Sequence, residues 1–252
     1  MIYPKPELRE EISKVDERIA RTERIASDLD EGDRPFTGTY HFRAMRYKKR
    51  ALLSLLICEI EEARTHLQET ATAQYNYIAE VAAYPDEIAK GGGHRTRPMH
   101  AREGLEVAVL ANDEQLVQRG IDACRNLPES YPEEHEPVEL YWRARAFAEV
   151  VAESGAVDDL LAQYDSARYG VVDDGWIDVL HGLHESDAER VTVGLHTLLD
   201  EWAEETEPDV TDAETLLDVD TASLYVLARR RGLNVQIDHE RFPEQIDDLV
   251  SA

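Results

Sequence analysis

The stretch Asp218–Pro243 constrains the fold most, because its sequence contains all the signals of one helix. These are an N-cap residue, an apolar face and a C-terminal glycine. Asp220 or Thr221 is suited to cap the N-terminus, and Gly232 supplies the left-handed residue that ends the helix. The apolar face consists of Leu224, Leu227 and Ala228, and the basic last turn consists of Arg229, Arg230 and Arg231. The stretch predicts a helix that closes the core of a helical domain.

The residues after Gly232 alternate between apolar and polar, which predicts a short extended segment near the C-terminus. The alternating residues are Leu233, Val235 and Ile237 against Asn234, Gln236 and Asp238. We expect this segment to run as a short strand, and Pro243 to open a last short helix.

Helical periodicity also dominates the first third of the chain. A charged helix is predicted from Pro6 to about Leu29, and a loop with glycine and proline follows at Glu31–Thr39. A long helical region then runs from Tyr40 to about Ala83. Because few globular helices are that long, we expect a kink or break near Glu69–Gln74.

Three helical hairpins follow a flexible connector, which we place near residues 84–97. The predicted pairs are Pro98–Leu110 with Glu114–Leu127, Val138–Glu153 with Val157–Tyr169, and Trp176–His184 with Ala188–Glu204. Their uneven spacing predicts an all-α fold, an irregular array of antiparallel helical hairpins that is tetratricopeptide-like or α-solenoid-like. We expect residues 1–35 to form an N-terminal helix and loop, and residues 36–252 to form a single helical-array domain.

The charge of the chain is strongly negative. Asp and Glu number 53 against 27 Lys and Arg, which gives a formal net charge of −26, and only five of the basic residues are lysines. This composition is typical of proteins from salt-loving microbes, whose carboxylates stay hydrated while salt screens their repulsion. The alternative is an acidic face that neutralises a basic partner. General nucleic-acid binding is disfavoured in both cases.

The cysteines and the lengths of the apolar segments indicate the cellular compartment of the protein. Cys58 and Cys124 both lie in apolar helical contexts, which is typical of buried, reduced thiols in a cytoplasmic protein. The N-terminus has no apolar core, and the chain has no run of about 18 apolar residues. We therefore predict a cytoplasmic protein with neither a standard secretion signal nor a membrane span.

A histidine-containing segment was considered for metal binding. It contains His181, His184 and His196, with Asp178, Glu185 and Asp200 nearby. Zinc proteases place a glutamate between the two histidines of HExxH, and HGLHE lacks it. We predict no metal site and no cofactor.

Residues 91–100 contain two weak signals for phosphate chemistry. Three glycines followed by His94, Arg95 and Arg97 can present amides and cations to an anion. Arg95 and His100 also match the R-x4-H spacing of a class of helical ribonucleases, in which both residues act on the scissile phosphate. Pro98 and the glycines make a regular helix through both residues doubtful.

A basic cluster stands out in so acidic a chain. It contains His41, Arg43, Arg46, Lys48, Lys49 and Arg50. Arg43, Arg46 and Arg50 share a helix face that suits phosphates or an acidic partner surface. Internal pairing with Glu59, Glu61, Glu62 or the first helix is the other interpretation. Our candidate partner-binding or anion-binding residues are Arg43, Arg46, Arg50, Arg95 and Arg97.

Three segments carry a resemblance to a known family. They read RALLSLLICEIEEARTHLQETA, LEVAVLANDEQLVQRGIDA and LYVLARRRGLNVQID, and in this order they resemble the immunity protein 49 family of bacterial polymorphic-toxin systems. The resemblance implies an all-helical protein that binds and neutralises a cognate toxin by covering its active site. The chain is more acidic than a typical member, and its N-terminal helix is longer.

No convergent set of nucleophile, base and oxyanion donors is visible in the sequence, which favours a binding protein over an enzyme. We therefore predict a non-catalytic immunity protein whose contacts are exposed Tyr and Trp residues, rimmed by the acids of segments 158–174 and 201–212. One alternative is a helical-repeat scaffold for an endogenous protein partner. A second alternative is an RNA-directed helical enzyme that uses Arg95 and His100.

Overall fold

The computed structural model describes residues 4–29, 37–83, 93–135, 137–167 and 174–250, and within them the chain is all-α, as predicted. The helices are α1 (Lys5–Leu29), α2 (Thr37–Leu56), α3 (Ile60–Ala83), α4 (Gly93–Ala111), α5 (Glu114–Arg125), α6 (Tyr131–Glu134), α7 (Glu139–Val151), α8 (Val157–Ala167), α9 (Asp174–Glu185), α10 (Ala188–Glu205), α11 (Val219–Arg230) and α12 (Ile246–Val250). A short 3₁₀ turn spans Ala213–Thr215. The described residues contain no β-sheet.

Helices that follow each other along the chain pack together as hairpins. The most extensive contacts join α2 to α3, α3 to α4 and α9 to α10, and the predicted pairs α4–α5 and α7–α8 are also present. These contacts confirm the three predicted hairpins. An α-solenoid-like course of the array stays a prediction.

The first helix shares the main core. Leu8, Ile12 and Val15 are buried in the same hydrophobic cluster as the residues of α2 and α3, and α1 packs along α2. Residues 30–36 of the predicted loop lie outside the described residues, and α2 already begins at Thr37.

Of the connector predicted near residues 84–97, residues 84–92 lie outside the described residues. Residues 93–97 are helical, so that part of the prediction is wrong.

The long helical region breaks earlier than predicted. The break lies at Ile57–Glu59, whereas residues 69–74 are an unbroken part of α3. Cys58 adopts φ 68°, and the amide of Glu59 donates to the carbonyl of Ser54 at 2.9 Å. Cys58 is therefore an exposed turn residue, which corrects its expected burial. Cys124 is buried as expected, and both thiols are free.

Five helices end in the same way, with one residue in the left-handed region followed by an amide that donates five residues back. This Schellman geometry satisfies carbonyls that the helix leaves unpaired. The left-handed residues are Cys58, Asn112, Glu153, Ser186 and Gly232. At two of these ends the next residue, Asp113 or Asp187, is the N-cap of the following helix. This geometry makes the hairpin turns short.

Helix α11 is the buried closing helix that the sequence predicts. Every residue from Thr221 to Ala228 is buried, and Gly232 ends the helix at φ 79°. The N-cap is Asp218, whose carboxylate accepts from the amides of Asp220 and Thr221. The predicted caps, Asp220 and Thr221, instead lie in the first turn, because the helix begins earlier than predicted, at Val219.

The arginines at the end of α11 donate hydrogen bonds to backbone carbonyls at the C-terminal ends of other helices. Arg230 donates to the carbonyls of Val109 in α4 and Leu249 in α12, the latter at 2.6 Å. Arg231 donates to Val150 in α7 and to Leu183 in α9. The carbonyls of Val109 and Val150 also accept from backbone amides just past the helix ends, so the guanidinium groups add a second donor there. Burial lowers the pKa of Arg230 to about 10, and the charge of Arg64 adds to the effect.

The segment after Gly232 has no regular secondary structure and forms no strand ladder with any described residue. Val235 is buried and Leu233 and Ile237 are half-buried, while the three polar residues between and after them are exposed. The predicted alternation is confirmed. The predicted strand is wrong, because no neighbouring segment pairs with these residues, and α12 follows at Ile246.

Candidate functional site

An acidic cleft of about 370 Å³ opens between α2, α4 and the segment 202–220. It is lined by one lysine, Lys48, by Trp202, and by six carboxylic acids. These acids are Glu103, Glu106, Asp212, Glu214, Asp218 and Asp220. A second cavity, of about 400 Å³, lies against residues 237–245 and has Leu8, Leu56 and Leu216 in its wall. We take the acidic cleft as the candidate site because buried, paired charges converge on it.

Asp220 is the centre of this charge network. Its carboxylate accepts from Arg102 at 2.8 Å and from Arg143 at 2.8 Å. Burial acts to raise the pKa of Asp220, but the two guanidinium groups outweigh it and hold that pKa well below its ordinary value. Asp220 is therefore a carboxylate at every physiological pH, and its hydrogen bonds to the two arginines fix its position.

Glu106 lies deeper than Asp220, and its pKa is shifted in the opposite direction. Its side chain is 3% exposed and pairs with Arg102. Burial raises the pKa of Glu106 well above its ordinary value, and although Arg102 acts to lower it, the charge of Asp220 adds to the increase. The two carboxyl groups are hydrogen-bonded, and their pKa values are shifted in opposite directions, upward for Glu106 and downward for Asp220.

Two further charges set the rim of the cleft. Burial and the nearby Asp220 raise the pKa of Asp218 to about 6. Lys48 lies 2.7 Å from Glu214. Burial acts to lower the pKa of Lys48, but Glu103 and Glu214 outweigh it and raise that pKa above its ordinary value. Lys48 stays charged, yet the carboxylates outnumber it.

Arg241 fixes the wall of the cleft that is formed by the loop after α10. Its guanidinium lies 3.9 Å from the ring centroid of Trp202. The same group donates to the carbonyls of Thr206 at 2.7 Å and Thr215 at 2.5 Å. Trp202 is only half-buried, whereas Trp176 is fully buried in the core.

Most of the basic cluster pairs with α1. Arg43 binds Glu23 through two nitrogens, Arg50 lies 2.8 Å from Asp16, and Lys49 lies 2.6 Å from Glu11. These contacts match the internal-pairing interpretation, with the first helix and not with Glu59, Glu61 or Glu62 as the source of the acids.

Arg46 differs from its neighbours in the cluster. It donates to the backbone carbonyl of Arg18 at 2.9 Å. Burial lowers its pKa, and the charges of Arg18 and Arg21 lower it further. No carboxylate among the described residues pairs with it.

Arg95 and His100 lie on one regular helix, α4, so the expected irregularity at Pro98 is wrong. The side chain of Arg95 lies outside the described part of the chain. His100 is 2% exposed, and its Nδ1 lies 2.6 Å from the side-chain oxygen of Gln74. Burial lowers the pKa of His100 to about 3, with smaller contributions from His41 and Lys48. A neutral imidazole is unsuited to the general-acid role that the ribonuclease hypothesis requires.

Arg97 is half-buried on α4, and burial lowers its pKa. Within the described residues it has no ion pair, and its Nε has no hydrogen-bond partner. The predicted anion-binding set therefore does not converge: Arg43 and Arg50 bind α1, Arg46 faces Arg18, and Arg97 lies on another helix.

The histidine-containing segment is organised by acids and by one arginine. His181 and His184 lie 3.8 Å and 4.0 Å from Asp158. Arg190 lies near Asp178 at 2.9 Å and near Glu185 at 3.4 Å, so these two acids already have a cation. The described residues contain no group of three or more potential metal ligands.

The sequence interpretation missed the network around Asp220. The sequence offers only one local signal for it, which is the spacing of Arg102 and Glu106 one turn apart on α4. Asp220 was interpreted as a cap, and Arg143 gave no signal.

The remaining observations concern membranes and known proteins. No helix in the described ranges is both long and apolar enough to cross a membrane. The chain matches no protein-family model, no curated protein and no solved structure.

Proposed function

We propose that this chain is a non-catalytic binding protein whose acidic cleft receives a basic side chain of a protein partner. The observation that supports this most directly is the lining of the cleft, which carries six carboxylic acids against one lysine, Lys48. The two arginines at 2.8 Å from Asp220 fix the wall of the cleft, and a wall that is already positioned does not have to be ordered when the partner binds, which lowers the entropic cost of association.

The chemistry of the cleft favours arginine or lysine as the inserted group. Carboxylates of Glu103, Asp212 and Glu214 surround the opening, and a guanidinium can bind two carboxylate oxygens at once. The half-buried ring of Trp202 adds an aromatic surface on which the stem of such a side chain can pack. The cleft thus offers charge and apolar contact to the same group.

The finer proposal is that the partner is a cognate toxin and that binding covers its active site. The resemblance to the immunity protein 49 family and the net charge of −26 both support it. Toxins that cleave nucleic acids carry basic substrate grooves, and an acidic protein reaches such a groove faster by electrostatic steering. Two of the predicted contact elements, Trp202 and Asp212, line the cleft.

Affinity capture tests the proposal. The tagged chain is incubated with lysate of its source cells at their own salt concentration, and bound proteins are identified by mass spectrometry. We expect one stoichiometric basic partner, encoded beside this gene and toxic when expressed alone. A partner that is encoded elsewhere and is not toxic would favour the scaffold alternative.

Variants at the rim locate the interface. Asp212→Asn combined with Glu214→Gln should weaken the captured complex by about tenfold or more, because each removes a charge that faces the inserted side chain. Asp200→Asn changes an acid on α10 that does not line the cleft, and it serves as the matched control. Equal retention of the partner by both variants would show that the cleft is not the binding site.

A further inference from the structure

One exposed face of the α1–α2 hairpin combines arginines with large apolar side chains. Arg18, Arg21 and Ile25 occupy successive turns of one side of α1, and Phe42, Met45 and Arg46 occupy one side of α2. Ile25, Phe42 and Met45 are 47%, 52% and 49% exposed, which is unusual for residues of their size. We call these six residues the arginine–apolar face.

The pairing between the two helices makes this face continuous. Arg43 contacts Glu23 and Arg50 contacts Asp16, so α1 and α2 run antiparallel. This register places Ile25 beside the first turns of α2 and Arg18 beside Arg46, whose guanidinium reaches the Arg18 carbonyl at 2.9 Å. The guanidinium of Arg46 also lies 5.7 Å from the ring centroid of Phe42. The charged and apolar strips therefore adjoin.

The electrostatics of the face are unfavourable in the isolated chain. Within the described residues, Arg18, Arg21 and Arg46 have no carboxylate partner, although the chain has 53 acidic residues. After burial, the charges that lower the pKa of Arg46 are those of Arg18 and Arg21. Neighbouring guanidinium groups that repel each other are stabilised by a bound carboxylate.

We propose that the arginine–apolar face is a docking surface for an acidic amphipathic segment of a partner protein. Carboxylates of the segment would pair with Arg18, Arg21 and Arg46, and its apolar side chains would cover Ile25, Phe42 and Met45. Burying three large apolar groups contributes to affinity at any salt concentration, whereas the ion pairs contribute specificity.

Other occupants fit this face less well. A second copy of the chain, related by a two-fold axis, would place the arginines against themselves. A phosphate backbone offers no apolar surface to cover Ile25 and Met45. The net charge of −26 also opposes the approach of nucleic acid.

This surface is separate from the proposed toxin-binding cleft. None of its six residues lines the cleft, and it attracts acids where the cleft attracts bases. The chain therefore has two binding surfaces of opposite charge preference, and each can be tested without the other.

Fluorescence anisotropy with a defined probe tests the proposal. The probe is a labelled helical peptide with leucines at i, i+3, i+4 and i+7 and glutamates beside them, and the matched probe has glutamine in place of every glutamate. We expect the wild-type protein to bind the glutamate peptide at least about tenfold more tightly. The double variant Arg18→Gln/Arg21→Gln should remove that preference, and Phe42→Ser should weaken binding of both peptides.

Matched variants elsewhere serve as controls. Val193→Ser removes an apolar side chain that is 58% exposed on α10, and Arg119→Gln removes an exposed arginine of α5. Both should leave peptide binding unchanged, as should Asp212→Asn in the cleft. Equal binding of the two peptides, or no binding of either, would overturn the proposal. Tighter binding of single-stranded RNA or of anionic lipid vesicles than of the glutamate peptide would also overturn it.

Discussion

A guanidinium nitrogen of Arg102 lies 2.8 Å from the carboxylate of Asp220, although 118 residues separate them in the chain. Arg143 approaches the same carboxylate from a third helix at the same distance. The ionised Asp220 thus pairs with one buried and one half-buried cation and ties α4, α7 and α11 together. The pKa of its hydrogen-bonded neighbour, Glu106, is raised by burial and by the charge of Asp220, so we expect the proton of the pair on Glu106.

This division of charge predicts an asymmetry between two similar substitutions. Asp220→Asn leaves two guanidinium groups without their main counter-ion, and we expect it to lower the free energy of unfolding by about 3 kcal/mol. Glu106→Gln replaces a protonated acid by an amide of nearly the same shape and should change it by less than about 1 kcal/mol. Urea denaturation at pH 7 measures both. Equal losses would mean that the proton does not reside on Glu106.

His100 predicts a loss of stability in acid. Its pKa is about 3 in the folded protein against 6.5 ordinarily, so between these values the unfolded chain binds more protons. Its contribution is complete above about pH 6.5, and it falls by about 1.4 kcal/mol for each pH unit below that, down to about pH 3. His100→Phe should flatten this part of the stability curve. The difference in slope is diagnostic, because the repacking cost of the substitution does not depend on pH.

The left-handed backbone conformation of Cys58 predicts that glycine at this position stabilises the protein. A side chain at φ 68° is strained, and glycine adopts this conformation freely. We expect Cys58→Gly to raise the free energy of unfolding by about 1 kcal/mol, seen as a higher urea midpoint with an unchanged slope. Cys58→Ala keeps the strain and is the control. A gain of the same size in the alanine variant would assign the effect to the thiol and not to the backbone.

The packing of Tyr75 against Gly104 predicts that position 104 does not tolerate even a methyl group. Its ring lies against Gly104, where an added Cβ would come within 2.5 Å of the Cε1 atom, and its hydroxyl donates to the carbonyl of Leu116 at 3.0 Å. We expect Gly104→Ala to lower the melting temperature clearly, with a loss of about 2 kcal/mol. Gly155→Ala, where an added Cβ meets nothing within 4 Å, should leave it unchanged or slightly higher. A tolerated Gly104→Ala would show that the ring can move aside.

The sequence was sufficient to predict the helices whose signals are local. The periodic stripe of α1, the N-caps Asp113 and Asp187, and the glycine stop after α11 all depend on residues within a few positions of each other. The break at Cys58 has no such signal. Its left-handed residue is not glycine, so no local signal marks it. The break was expected near Glu69–Gln74 only because the helical region is long, and those residues are part of the packing face of α3.

The candidate site was not predictable, because its geometry depends on contacts between distant segments. Asp220 becomes a fixed carboxylate only when α4 and α7 bring Arg102 and Arg143 to it. The same limit explains the basic cluster. Which arginines stay unpaired depends on the register of α1 against α2, and the sequence of α2 does not specify that register.

The arginines that follow Arg229 have a consequence for synthesis on the ribosome. Arg230 and Arg231 satisfy carbonyls at the ends of α4, α7 and α9, all of which are translated earlier. Until α11 leaves the exit tunnel, those carbonyls lack their guanidinium donors, and the groove that α11 fills is open. The nascent chain therefore stays incompletely packed late into translation, which is the period when chaperones have access to its apolar surface.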